Sequence, residues 1–157
     1  MFDTILGLPI HPLLVHFVVV LFPIWALYLF YVLRMKRFAK MMNLNFVVSI
    51  VMLIMAIATS QAGDALTSRV GVTNTHSLFG HLVELTAFGL FVAFAGSKLL
   101  YNRVGSGLKR FAELSVALGA ILALVFTVAA GHTGSSAAWK NKISQNALGT
   151  YGLSPTK

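Results

Sequence analysis

Residues 12–33 read PLLVHFVVVLFPIWALYLFYVL, a stretch without a single Asp, Glu, Lys or Arg. A helix needs about 20 consecutive apolar residues to cross the hydrocarbon core of a bilayer. Three further runs have similar length and composition, at residues 41–63, 77–97 and 114–131, and Glu84 is the one charged residue within them. The sequence therefore predicts an integral membrane protein with four spanning helices.

The composition excludes several classes of function. Of the 157 residues 57% are hydrophobic and 10% are charged, whereas about 25% are charged in an ordinary soluble domain. The chain has no cysteine, so iron–sulfur clusters and covalent c-type haem attachment are ruled out. It also has no phosphate-binding loop, dinucleotide fingerprint or His-Glu-x-x-His motif. Hydrolysis and phosphoryl transfer are therefore not expected.

The predicted fold is an all-α, antiparallel four-helix membrane bundle. We expect an outer lead-in over residues 1–10 and a transmembrane domain over 11–131, with helices at about 11–33, 43–63, 75–100 and 111–130. Pro12 suits the first turn of a helix, and Gly131 is a natural stop for the fourth. Residues 132–157 then form a polar outer tail.

The basic residues predict the orientation. The formal net charge is +8, and eight of the twelve basic residues flank the first and third connections: Arg34, Lys36, Arg37, Lys40, Lys98, Arg103, Lys109 and Arg110. The positive-inside rule places these connections in the cytoplasm and both termini on the outer, periplasmic side. We expect a multi-pass protein of the bacterial inner membrane whose charges meet anionic lipid headgroups and bind no nucleic acid.

All five histidines fall at one end of the four apolar runs. His11 and His16 open the first run, His76 and His81 open the third, and His132 closes the fourth. Histidine is a common ligand of haem iron, copper and zinc, and its charge changes near neutral pH. This layer is the best sequence evidence for a function.

The inner level of the layer suggests haem. Residues five apart differ by about 140° and about 7.5 Å along a helix, so His16 and His81 lie about one turn inside the rim histidines. We predict that these two are axial ligands of a b-type haem, with Gly80 and Gly119 leaving room for the macrocycle. The alternative is an interhelical hydrogen bond, for example to residues 59–61.

The rim trio of His11, His76 and His132 leaves three interpretations open. The three side chains bind haem propionates or a second haem, form a copper or zinc site, or are simply hydrated at the interface.

Two carboxylates accompany the layer. Glu84 follows His81 by three residues and so shares its helix face. It is a candidate to orient His81, to accept a proton, to line a quinone pocket, or to be a protonated partner of a neighbouring helix. Asp64 ends the second run at the same face and is a candidate partner for Arg69 or a rim histidine.

The stretch LPIHPLLVHF at residues 8–17 resembles the opening of a family of small bacterial four-helix membrane proteins of unassigned function, whose hallmark is His-Pro-x-x-Val-His-Phe. Residues 59–64 and GHTG at 131–134 are similar to further family positions. Members often continue Phe-Pro where this chain has Phe17 and Val18. The resemblance implies functional roles for His11, His16 and His132. Because relatives can be joined to cytochrome c or Rieske-type modules, it also implies a redox setting.

Three functions follow as expectations. The first is a haem b electron-transfer subunit between the quinone pool and a periplasmic electron carrier, inside a larger membrane redox complex. The second is a non-catalytic accessory subunit whose histidines fasten its helices. The third is a membrane protein that binds copper or zinc.

Overall fold

The fold follows from four apolar helices. The computed structural model describes residues 4–5, 8–70 and 74–150, and the side chains of 13–65, 75–136 and 139. Its helices are α1 (Ile10–Arg34), α2 (Phe38–Val70), α3 (Asn74–Leu100) and α4 (Ser106–Thr150). Each contains a segment long and apolar enough to cross a membrane: Leu13–Arg34, Phe38–Ala65, Thr75–Leu100 and Ser106–Ser136. The predicted four-helix membrane bundle is confirmed.

The helices form an antiparallel bundle with a cyclic arrangement. α1 packs on α2 and α4, and α3 packs on the same two helices, so α1 and α3 lie diagonally across the bundle. Within the lead-in, β1 (Thr4–Ile5) and β2 (Leu8–Pro9) form a minimal antiparallel pair. We call the end that carries His16, His76, His81 and His132 the histidine end, and the end with the two short connections after α1 and α3 the basic end.

Two helices are longer than predicted. α2 runs on to Val70, so Asp64 lies inside a helix rather than in a loop. α4 continues past Gly131 to Thr150, so most of the expected polar tail is helical. Glycine favours a helix stop only when it adopts the left-handed conformation, and residues 132–150 contain no proline to end the helix. The last predicted tail residues, 151–157, lie outside the described part of the chain.

The bundle core is richest in aromatic rings towards the basic end. Trp25 of α1 lies 5.9 Å from Phe22 and 6.1 Å from Phe94 between ring centroids, and Phe38 lies 5.8 Å from Phe94. Trp25 also donates from Nε1 to Oδ1 of the buried Asn45, at 3.0 Å. Buried polar groups in a membrane protein need such partners because lipid offers none. This packing fixes how each helix is rotated about its axis.

The connection between α1 and α2 contains a backbone motif in which glycine is favoured, but this chain has Lys36 at that position. Lys36 has a φ of 52°. The Lys36 amide donates to the Leu33 carbonyl at 3.1 Å, and the Arg37 amide donates to the Val32 carbonyl at 2.9 Å. These are the two hydrogen bonds of a Schellman cap, which ends α1 abruptly. The cap turns the chain directly into α2.

Candidate functional site

His81 lies among three polar side chains from α2 and α3. Its Nδ1 is 3.3 Å from Ser60 Oγ and 3.7 Å from Glu84 Oε2, and its Nε2 is 3.9 Å from Asp64 Oδ1. Each ring nitrogen therefore has a carboxylate nearby. We call Ser60, Asp64, His81 and Glu84 the His81 cluster.

Helix geometry explains why these four residues meet. Ser60 and Asp64 are four residues apart on α2, and His81 and Glu84 are three apart on α3, so each pair lies on one face of its helix. The extension of α2 beyond its predicted end is what brings Asp64 beside His81. Glu84 and Asp64 each lie within 4 Å of an imidazole nitrogen, near enough to orient the ring.

The His81 cluster lies on the outer surface of the bundle. The side chains of His81, Glu84 and Asp64 are 52%, 33% and 61% exposed. Leu78 and Leu85, on either side along α3, are also exposed. Ionisable side chains within membrane spans usually face the interior of a bundle. A polar cluster among exposed apolar side chains is therefore an unusual feature of this surface.

His76 makes the second described histidine contact. Its Nδ1 lies 3.3 Å from Oγ1 of Thr133 on α4. The Thr133 hydroxyl donates to the Ala129 carbonyl at 2.8 Å, which leaves its oxygen to accept from the imidazole. His76 and Thr133 thus join α3 to α4 at the histidine end.

The glycines of the GHTG stretch allow this close approach. A Cβ at Gly134 would lie 2.9 Å from Cε1 of His76, and one at Gly131 would lie 3.6 Å from Cγ1 of Val19 on α1. Gly134 therefore lets the imidazole lie against the α4 backbone, while Gly131 makes an ordinary contact.

Sequence reasoning missed Thr133 as the partner of His76. Contacts between helices depend on how the two helices are aligned, and the spacing of residues along one helix does not give that alignment.

The other histidines are not brought into these contacts. His16 and His132 are both exposed. His11 belongs to α1, but its side chain lies outside the described residues. Among the side chains that the structure describes, no three His, Asp or Glu residues are arranged to hold a metal ion. The copper or zinc alternative therefore has no structural support.

The predicted haem pair does not fit the described geometry. α1 and α3 lie diagonally across the bundle, so a haem held by both would have to lie inside it. His16 is instead exposed, and His81 contacts Ser60 and Asp64 on α2. Axial ligands must point into one shared cavity. A cavity of about 260 Å³ lies between α3 and α4, and its lining contains Thr86 and Ser115 but no histidine. The described positions of His16 and His81 therefore do not support a haem held between them.

The two glycines assigned to the haem have other surroundings. A Cβ at Gly119 would lie 2.6 Å from Cδ2 of the buried Leu90, so this side chain already fills the space. Nothing lies within 4 Å of a Cβ at Gly80. Gly119 thus allows α3 and α4 to pack closely.

The fold and the surface cluster define a polytopic helical membrane protein. Residues 7–147 match the model of a family described as predicted membrane protein (DUF2231), a domain of unknown function. The chain belongs to this family. No curated protein and no solved structure matches it.

Proposed function

We propose that this protein is a membrane redox subunit that binds a quinol headgroup at the His81 cluster and accepts its protons. The observation that carries the proposal is the position of His81, whose side chain is 52% exposed on the outer surface of the bundle, with Glu84 near one ring nitrogen and Asp64 near the other. Imidazole and carboxylate are the side chains that most often exchange protons in catalysis. The quinol class fits because it combines hydroxyl groups with a tail soluble in the bilayer.

The chemistry divides between this chain and a partner. Oxidation of one quinol to a quinone releases two protons and two electrons. His81 accepts one proton, and Glu84 or Asp64 accepts the other. The electrons pass to a redox group of an associated membrane subunit or a soluble electron carrier. In this proposal the histidine end faces the outer side of a bacterial inner membrane, so the protons leave on that side.

Co-purified quinone tests this function. We expect the protein, extracted from membranes in mild detergent, to carry quinone that solvent extraction and absorbance detect. His81→Gln and Glu84→Gln should each lower the ratio of quinone to protein at least tenfold. His132→Gln is the matched control, because it removes an exposed imidazole at the same end without touching the cluster.

Circular dichroism of each variant establishes that the helices are intact. Equal quinone content in all four proteins, or no quinone in the wild type even after incubation with decylubiquinone and a short-chain menaquinone, would exclude the proposal.

A second candidate is a non-catalytic accessory subunit. It is favoured by the two interhelical histidine contacts, His81 with Ser60 and His76 with Thr133, each at 3.3 Å. Under this alternative, His81→Leu lowers the thermal stability of the protein while leaving its quinone content unchanged. The quinone content of His81→Leu therefore separates the two candidates, since the quinol proposal predicts that it falls.

Haem b binding stays a prediction, and the quinol proposal does not require it. A reduced-minus-oxidised spectrum of the purified protein tests it directly. An α-band that survives His16→Ala and His81→Ala would mean that other residues ligate the haem iron. A spectrum without any such band would mean that this chain binds no haem b.

A further inference from the structure

Among the described side chains, uncompensated positive charge is concentrated at the basic end. Eight basic residues flank the two connections there: Arg34, Lys36, Arg37, Lys40, Lys98, Arg103, Lys109 and Arg110. Of these, Lys109 alone is partly buried and the other seven are exposed. Among the described residues no carboxylate forms a salt bridge with any of them. Glu113, the acid nearest in sequence, accepts a hydrogen bond from Tyr101 Oη at 2.7 Å.

Aromatic contacts join the two connections into one surface. Phe38, which opens α2, lies 5.4 Å from Tyr101, which follows α3. Lys109 Nζ lies 5.1 Å from the Tyr101 ring centroid, and Lys98 Nζ lies 4.7 Å from that of Phe46. The contact between Phe38 and Tyr101 therefore brings the first connection beside the third, where Lys109 lies over Tyr101 and Lys98 lies over Phe46. We call the eight basic residues together with these two rings the basic surface.

The backbone at Lys36 adds a second observation. Its φ of 52° lies in the left-handed region, where glycine is favoured over any residue with a Cβ. The fold thus carries a charged side chain at a position where glycine is intrinsically more stable.

From this arrangement we propose that the basic surface binds one phospholipid that carries two phosphate groups, with one phosphate at each connection. Charge complementarity selects an anionic lipid, because juxtamembrane Lys and Arg attract anionic headgroups. Two cation groups on either side of a ring contact favour a single molecule with two phosphates over two independent lipids. The inference is independent of the quinol site, which lies at the opposite end of the bundle.

Native mass spectrometry of the full chain in neutral detergent tests this binding. The probes are cardiolipin, with two phosphates, phosphatidylglycerol, with one, and zwitterionic phosphatidylcholine. We expect one retained cardiolipin per chain, at a phosphate concentration where phosphatidylglycerol is not retained. Arg37→Gln and Arg103→Gln, one in each connection, should each weaken the binding about fivefold and together about 25-fold.

Arg69→Gln is the charge-matched control, because residue 69 belongs to the other end of the chain's second helix. Because the lipids are added in detergent, a change in membrane orientation cannot mimic the effect. Retention of phosphatidylglycerol and cardiolipin in proportion to total phosphate would overturn the proposal. So would an equal loss of cardiolipin in Arg69→Gln.

Discussion

His76 Nδ1 lies 3.3 Å from Thr133 Oγ1, and this contact joins the first turn of α3 to α4 beyond Gly131. It shows that α4 continues as a packed helix where the sequence suggested an end. The stability of the histidine end should therefore depend on residues that lie outside the four predicted spans.

Thr133→Val tests this link. The variant keeps the shape of the side chain but removes the acceptor for His76, and hydrogen bonds between membrane helices contribute about 0.6 kcal/mol on average. We expect His76→Phe and Thr133→Val to show a coupling energy of about that size in a double-mutant cycle, measured by SDS unfolding in mixed micelles. Ser115→Ala is the control, because its hydroxyl donates to the Phe111 carbonyl of its own helix. Strictly additive effects of the two substitutions would contradict the link.

The four spans were predictable, but the direction of the histidines was not. Span length and apolar composition are set by the thickness of the bilayer, so four runs in the sequence became four helices. The side of the helix on which His81 lies depends on how α3 is rotated, which the contacts around Trp25 and Phe94 determine. A helix that is apolar on every face gives no amphipathic pattern from which to read that rotation. The expected pairing of His16 with His81 therefore found no support, while the contact with Ser60 was among the alternatives.

Gly119→Ala should destabilise the α3–α4 interface. The new Cβ would lie 2.6 Å from Cδ2 of Leu90, which is only 1% exposed, so this side chain would have to shift within the cavity that it lines. Overpacking of this kind costs about 1–3 kcal/mol, and the higher helix propensity of alanine offsets up to about 1 kcal/mol of that cost. Gly89→Ala is the control on the facing helix: nothing lies within 4 Å of its Cβ, and the higher helix propensity of alanine favours the variant by up to about 1 kcal/mol. Opposite changes in the thermal midpoint are expected, and changes of the same sign would argue against the close contact.

Asn45→Ala should destabilise the protein, because it leaves the buried N–H of the Trp25 indole without a hydrogen-bond partner. Asn45 is 1% exposed, accepts from Trp25 Nε1 and donates to the Met41 carbonyl at 3.0 Å. An orphaned buried donor costs about 1–3 kcal/mol. Trp25→Phe in the Asn45→Ala background should recover part of the lost free energy of unfolding, because it removes the N–H that has no partner. Asn43→Ala, at an exposed position in the same turn, is expected to be nearly neutral in the same SDS titration.

Lys36→Gly should stabilise the first connection. An L-residue in the left-handed conformation costs roughly 1–2 kcal/mol, and glycine removes that cost while losing some entropy on folding. We expect a net gain of about 1 kcal/mol in the free energy of unfolding, measured in detergent without added anionic lipid. Lys36→Ala removes the same charge but keeps the Cβ, so it should give no gain. Equal stabilisation by both substitutions would assign the effect to charge instead of backbone conformation.

The pKa of Tyr101 predicts a loss of stability at high pH. Burial, the hydrogen bond to Glu113 and the negative charge of Glu113, in that order, raise the pKa of Tyr101 from 10.0 to about 12. Between these two values the unfolded chain has lost the phenol proton and the folded chain has kept it, so stability falls as pH rises from about 10 to about 12 and is unaffected by this group below pH 10. Absorbance at 295 nm, taken as the difference between wild type and Tyr101→Phe, should show the delayed titration. Glu113→Gln should shift the pKa of Tyr101 only part of the way back toward 10, because the burial of the side chain remains. A titration midpoint near 10 for Tyr101 in the wild type would contradict its contact with Glu113.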